Sequence, residues 1–373
     1  MILPRILTYT SLQSVLQYME ANLRFELSQR LPLIRTAEKT APLQIVDFYF
    51  DGENVLRINN ISYHISLMRE YQFVKAFKST VFLPFDVDVY GNRDWDCQSM
   101  ETPGDVPIFK NWFRTAAEDD RRRGKRDKIL PSDEFSIEFK VVSTRKRRTE
   151  RVSYSKKLYE AYKYRITKLL GRGHSVLKVK NLYIWMPGGV LRWPLGLKLV
   201  VQNLKLSTIE DIEHVQKILC DTSFPLKQLE THDFPDELPK TTKKILEKTD
   251  RLVWNFAPNY EFIRNRIRNR RFRTSGWQLD ALDYLNIVRD WRAEKRNIGS
   301  CWEFYACDGT KIEQCFDLLK CEVGVISIGE KSIHIPTNRN TIIEVVYNTK
   351  RELSIKVVLN ETLQPDEPIC NQL

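Results

Sequence analysis

One short apolar motif recurs between residues 181 and 256, and it constrains the fold more than any other feature of the chain. Asn181-Leu182-Tyr183-Ile184 is followed by Asn203-Leu204-Lys205-Leu206, Lys227-Gln228-Leu229-Glu230 and Arg251-Leu252-Val253-Trp254. Aligned on Leu182, Leu206, Leu229 and Leu252, the steps are 24, 23 and 23 residues. Self-similarity at that period marks a strand-plus-helix solenoid of the leucine-rich type. The step from Leu206 to Leu229 reads most plainly. Ser207-Thr208-Ile209-Glu210 has capping-box spacing. Ile209, Ile212, Val215, Ile218 and Leu219 then lay one apolar stripe along a helix of about three turns. The step from Leu182 to Leu206 differs: Trp185-Met186-Pro187-Gly188-Gly189 reads as a turn, and Leu195 to Val201 as an extra strand. Ordering one unit costs roughly 35 kcal/mol at about 1.5 per residue. Offsetting that takes on the order of 1,400 Å² of apolar burial at ~25 cal/mol per Å², which only stacked neighbours supply.

The rest of the chain frames this repeat. Of 373 residues, 42% are apolar and 29% charged, the balance of a globular chain. No apolar run approaches ~18 residues, so no transmembrane helix is expected. Met1 to Leu7 is too short and too quickly polar for a signal peptide. The expected location is cytoplasmic or nuclear, away from membranes. Seven cysteines with no C-x-x-C pair indicate neither a disulfide framework nor a zinc site, and Cys301, Cys307, Cys315 and Cys321 read as core thiols. Asp86, Asp88, Gly91 and Asp94 fall at calcium-loop positions, but Tyr90 and Cys97 stand where two ligands belong. No metal and no cofactor are therefore expected, and Asx-turns explain these aspartates as well.

Five segments follow from the patterning. Residues 1–41 are a small helical module, with Leu12, Val15, Leu16, Met19, Leu23 and Leu27 on a helical stripe. Residues 42–109 alternate as strands, with a hairpin expected at Asp51-Gly52-Glu53-Asn54. Residues 110–180 form a basic, partly helical insertion, residues 181–300 the leucine-rich-repeat-like body, and residues 301–373 a C-terminal α/β cap with β-hairpins. The fold class is α/β, ending β-rich.

Charge is unevenly placed. Residues 110–180 hold 22 Lys and Arg against 9 Asp and Glu, or +13, whereas the whole chain carries +11. Arg121, Arg122, Arg123, Lys125 and Arg126 form one cluster; Arg145, Lys146, Arg147 and Arg148 form another. A third runs through Arg264, Arg266, Arg268, Arg270, Arg271 and Arg273. Such runs fit nuclear import or a polyanion patch, or simply a solvated surface.

Residues Leu12 to Met19 with Arg24-Phe25-Glu26-Leu27-Ser28 resemble a degenerate F-box, without its usual opening Leu-Pro. The resemblance implies docking on a ubiquitin-ligase linker subunit through Leu12, Val15, Leu16, Met19, Leu23 and Leu27. Leu12 to Leu31, Thr102-Pro103-Gly104-Asp105-Val106, Lys156 to Tyr164, Val179-Lys180-Asn181-Leu182 and Ser223 to Glu230 together resemble a nematode-expanded family of uncharacterised proteins, a domain of unknown function. That family is similar to F-box and FTH-type adaptors. It carries no known catalytic residues, and it implies a helical start plus a body that recruits a target.

No phosphate loop, nucleophile elbow or metal motif is present, and His64, His174, His214, His232 and His334 are scattered. No catalytic residue is assigned. The expected function is a non-enzymatic protein-interaction scaffold, read as a substrate-recruiting adaptor of a ubiquitin ligase. The alternative is a nucleic-acid-binding protein using its basic clusters.

Overall fold

A computed structural model describes residues 8–360 apart from 53, 75–76, 89–92, 109–133, 172–175, 187–188, 236, 323, 330, 339 and 349–350. Two compact units emerge: residues 1–224 with 234–238, and residues 225–233 with 239–373.

The first unit begins with three helices, α1 (Tyr9–Tyr18), α2 (Ala21–Arg30) and α3 (Arg35–Thr40). Strands β1 (Leu43–Asp51), β2 (Val55–Ile58), β3 (Ile61–Val74) and β4 (Phe77–Leu83) follow as an antiparallel meander. Its first turn lies at Asp51 to Val55, with Gly52 at φ +66°, where the sequence places a hairpin. Next come α4 (Trp95–Ser99), β5 (Val106–Ile108), β6 (Glu134–Val142), β7 (Arg147–Ser153), α5 (Leu158–Leu170), β8 (Leu177–Trp185), β9 (Gly189–Leu191), β10 (Leu199–Thr208) and the short α6 (Ile212–Val215). The strand order is β10-β8-β1-β2-β3-β6-β7, with β8 parallel to both β1 and β10. β5 pairs with β9 separately.

β1, β8 and β10 share one irregularity. Each alternates in and out, then turns two consecutive residues outward: Val46-Asp47, Lys180-Asn181 and Gln202-Asn203. A slip of one residue flips every side chain beyond it. Because all three strands slip at the same register, Phe48, Leu182 and Leu204 still meet in one buried row. The polar residues at the slip are paired: the Asn181 amide donates to Asp47 at 2.8 Å, and the Asn203 amide donates to Asn181 at 2.7 Å. The Val46 and Asp47 amides both donate to the Asn59 carboxamide oxygen.

This register corrects the repeat. Leu182 faces Leu204, not Leu206, so the step is 22 residues and Leu206 opposes Ile184. The Asn-Leu pair is the aligned unit. Among the described residues no helix joins β8 to β10; the extra strand there is β9, and Leu195 to Lys198 lies outside any strand. After β10, Ile209, Ile212, Val215, Ile218 and Leu219 are all buried as expected, though on a broken run of 3-10 and α turns. The Ser207–Glu210 capping box does not form. Thr208 is the N-cap, without a side-chain cap bond, and the Ser207 hydroxyl donates to Ile184 O at 3.4 Å.

The second unit is the more regular. β11 (Gln228–Asp233), α7 (Lys240–Lys248), β12 (Arg251–Trp254), α8 (Tyr260–Arg266), β13 (Arg271–Ser275), α9 (Ala281–Glu294) and β14 (Cys301–Tyr305) alternate, and the four strands pair in parallel. Leu229, Leu252, Phe272 and Trp302 form one row, each at most 2% exposed. The repeat therefore runs past Leu252, with aromatic side chains in place of leucine and steps of 20 and 30 residues. α10 (Gly309–Lys320) turns Ile312, Cys315, Phe316 and Leu319 inward. β15 (Ser327–Ile328), β16 (Ser332–Pro336), β17 (Thr341–Tyr347) and β18 (Leu353–Leu359) close the unit in antiparallel fashion, β18 pairing with β14. The mixed α/β class and β-rich end hold. Antiparallel strands flank both parallel sets, so the sheets are mixed and not a uniform leucine-rich stack. Cys307 and Cys315 are buried core thiols; Cys301 is half-buried and Cys321 exposed.

Candidate interaction surface

The N-terminal helices are fastened by polar contacts as much as by apolar ones. Arg24 and Glu38, both fully buried, pair at 3.4 Å across α2 and α3. The Arg24 guanidinium also donates to the carbonyls of Glu38, Ala41 and Pro42, satisfying the end of α3, where a cation suits the helix dipole. The Asn22 amide donates to Ile58 O, and Tyr63 donates to the Asn22 oxygen, which seats α2 on β2 and β3. Lys39 donates to the carbonyls of Lys168 and Leu169 at the end of α5. Residues 9–40 are thus a helical cap on the strands that follow.

That seating sorts the expected docking residues into two sets. Leu16 is buried against Ala37 and Ala41, with Leu12 and Met19 packed on the same cluster. Leu27 is half-buried. Val15 and Leu23 are 47% and 46% exposed, as is Leu31 at 49%. Leu23, Leu27 and Leu31 recur at four-residue spacing, one line along α2. Tyr18 at 85% and Leu33 at 98% are the most exposed large apolar residues of this region.

The basic clusters diverge as well. Arg121, Arg122, Arg123, Lys125 and Arg126 lie outside the described residues. Arg145 and Lys146 form the β6–β7 turn, where Ser143 accepts both their amides, and Arg147 and Arg148 open β7. All four are exposed, and none forms an ion pair among the described residues. The denser third cluster is largely neutralised. Arg264 faces Asp290 at 3.5 Å, Arg268 faces Glu294 at 3.6 Å, and Arg271 faces Asp250 at 3.5 Å. Arg273 meets Glu303 and Glu352, Arg270 donates to Ile298 O, and Arg266 lies over the Phe262 ring.

The segment compared with a calcium loop has another use. Asp86 accepts the amides of Leu158 and Tyr159 and the Tyr154 hydroxyl, so it sits as an anion at the N-terminus of α5. Asp94 accepts the Cys97 amide and pairs with Lys157 at 3.1 Å. No group of three or more metal-ligating side chains occurs among the described residues.

Sequence reasoning missed the most heavily bonded acid. Asp105, its side chain wholly buried, accepts from Lys163 at 2.8 Å, Arg192 at 3.0 Å, the Trp193 amide and the amide and hydroxyl of Thr102. Burial alone would raise its pKa. The bonds from Lys163, Thr102, Trp193 and Arg192 outweigh that and hold the carboxyl below its ordinary value. Gly104 beside it has φ +94°, and a Cβ there would meet Leu195 and Trp193 backbone atoms at 2.8 Å. Thr102-Pro103-Gly104-Asp105 was the available signal.

Residues 157–308 match the family model described as a domain of unknown function, DUF3557. The match runs from the start of α5 to just past β14. It takes in Lys157 to Tyr164, Val179 to Leu182 and Ser223 to Glu230. Leu12 to Leu31 and Thr102 to Val106 lie outside it, so the resemblance expected from these five stretches narrows to residues 157–308. A nematode origin and kinship with F-box or FTH adaptors gain no support from it. No curated protein and no solved structure matches the chain. No helix among the described residues is long and apolar enough to cross a membrane.

Proposed function

We propose that this chain is a non-enzymatic protein-interaction scaffold whose N-terminal helices dock a partner. The observation that carries the reading is the exposure of Val15, Tyr18, Leu23, Leu31 and Leu33 on helices otherwise tied down by buried polar contacts. Large apolar side chains on a rigid support are what a protein partner buries. The partner to test first is the ubiquitin-ligase linker subunit. Leu23→Asp and Leu33→Asp alter exposed positions and should leave folding intact, whereas Leu16→Asp would unfold the cap. The full chain should bind purified linker subunit, and each variant should weaken that binding about tenfold or more. If the linker subunit does not bind, the adaptor reading fails. If no partner recovered from cells is lost from the double variant, the docking face fails with it.

A second reading has its own support. Arg145, Lys146, Arg147 and Arg148 are exposed at one hairpin tip and form no ion pair within 4 Å among the described residues, the arrangement that suits phosphates. Replacing all four with alanine should lower the salt dependence of nucleic-acid binding by about one logarithmic unit per lost phosphate contact. Binding to heparin but to no nucleic acid at about 150 mM salt rejects this reading.

A further inference from the structure

The inner faces of β2, β3, β6 and β7 and the overlying α5 enclose a recess of about 120 Å³, with Gln29 of α2 at its edge. Strand register decides which side chains enter it. Leu56, Tyr63, Val141 and Arg148 stand opposite one another in one row across the four strands; Ile65, Phe139 and Glu150 form the next row on the same face. His64 and Lys140 also border the recess, but they alternate to the other face. From α5 come Tyr162, Arg165, Ile166, Lys168 and Leu169.

The floor is apolar. Leu56 and Ile166 are 1% exposed and Ile65 is 4% exposed. Its volume approaches the ~150 Å³ of an apolar cavity that accepts benzene. The mouth is cationic. Arg165 donates to Glu150 at 2.7 Å and lies over the Phe139 ring at 4.1 Å. Arg165 chiefly, with Arg148 and Lys168, holds the Glu150 carboxyl below its ordinary value, so three cations converge on one acid. The sum is +2. Arg148 forms no hydrogen bond or ion pair among the described residues. Tyr162 also lines the recess; it is 5% exposed, and its hydroxyl makes no hydrogen bond to a described residue. The Tyr63 hydroxyl, in contrast, is committed to Asn22.

We infer that this recess binds an aryl phosphate monoester, the ring entering between α5 and the sheet and the phosphate meeting Arg148, Arg165 and Lys168. A phosphate monoester carries about −1.5 to −2 at neutral pH, which matches the mouth better than a carboxylate. Guanidinium groups suit its planar pairs of oxygens, and Tyr162 supplies a neutral donor. The ester arises either as a free small molecule or as a phosphotyrosine side chain. The site is separate from the docking face on α1, α2 and the Leu33 turn, and it stands or falls independently of the scaffold reading.

Titration of the full chain with phenyl phosphate, inorganic phosphate and phenol, followed by ligand-observed NMR or calorimetry, tests the assignment. Phenyl phosphate should bind saturably and about tenfold or more tighter than either fragment. Arg148→Ala with Lys168→Ala, both at exposed positions, should weaken phenyl phosphate about tenfold without shifting the unfolding midpoint. Tyr162→Phe should weaken it about fivefold. A phosphotyrosyl peptide that binds tighter than phenyl phosphate assigns the site to a protein-borne ester, and one that binds more weakly assigns it to a free one. Inorganic phosphate binding as tightly as phenyl phosphate would reduce the site to a basic surface and overturn the proposal. So would phenol binding as tightly, no saturable binding, or indifference to the Arg148 and Lys168 replacements.

Discussion

The two units solve one problem, a set of parallel strands joined to an antiparallel set, by different means. In the second unit each parallel strand is reached through a helix, and Leu229, Leu252, Phe272 and Trp302 stack as an apolar row. Trp302 packs edge-on against both Phe272 and Trp291, at 5.4 and 5.2 Å between ring centroids. Its charged residues pair at the surface. In the first unit no helix lies between β8 and β10 among the described residues, and polar side chains carry structural weight: Asp105 with Lys163 and Arg192 and Arg24 with Glu38 inside, and the half-buried Asp47–Asn181–Asn203 row on the outward phase of the strands. Where loops must cross the sheet, their backbone polar groups have to be satisfied within.

The sharpest way to break the comparison is at Asp105. Asp105→Ala leaves Arg192, 4% exposed, without its carboxylate and should cost about 3–5 kcal/mol in chemical denaturation. Asp105→Leu combined with Arg192→Met should recover part of that loss, since removing both charges is milder than orphaning one. A single replacement within about 1 kcal/mol of wild type would show that the network is not structural.

Asp211 sharpens it with the opposite sign. This residue is 1% exposed; Thr208 stands beside it, yet neither its own oxygens nor the Thr208 hydroxyl is in a well-formed hydrogen bond. Burial pushes the carboxyl up to about 6, against a smaller opposing effect of Thr208. Above pH 6 the folded chain therefore holds a buried charge that the unfolded chain keeps in water. Stability should rise as pH falls from about 6 toward about 4, by up to about 3 kcal/mol at 1.36 per unit of pKa. Asp211→Asn should flatten that slope and stabilise the chain at neutral pH by about 1–3 kcal/mol. An unchanged slope in denaturation at pH 4, 5, 6 and 7 would remove Asp211 as its source.

The smallest effect belongs to the second unit's surface. Arg271 and Asp250 pair at 3.5 Å, with side chains 53% and 48% exposed. Arg271→Ala should change stability by less than about 1 kcal/mol. A larger loss would mean that the arginine-rich stretch, and not the apolar row, holds these strands together.

The sequence revealed elements whose signal is local. The buried residues between β10 and β11 follow from spacing alone. The first repeat step was misread because Leu204 and Leu206 both fit a strand, and only cross-strand register separates them. The Asn-Leu pair decides it, since the hydrogen bond between Asn203 and Asn181 sets Leu204 opposite Leu182. β6 and β7 were hidden within the basic insertion: β7 is exposed along its whole length, so no alternation of polarity marks it. The ion pairs of Arg264 to Arg273 connect residues far apart in the chain, which a run of positive charge does not disclose. The recess lay beyond sequence reading for the same reason, since its walls come from four strands and two helices.

The shared slip in β1, β8 and β10 has a consequence for how this chain can change. A residue gained or lost between Asp47 and Phe48 would invert the rest of one strand against two that keep their phase, and the row of Phe48, Leu182 and Leu204 would lose a member to water. Length variation within these three segments must therefore be concerted or absent.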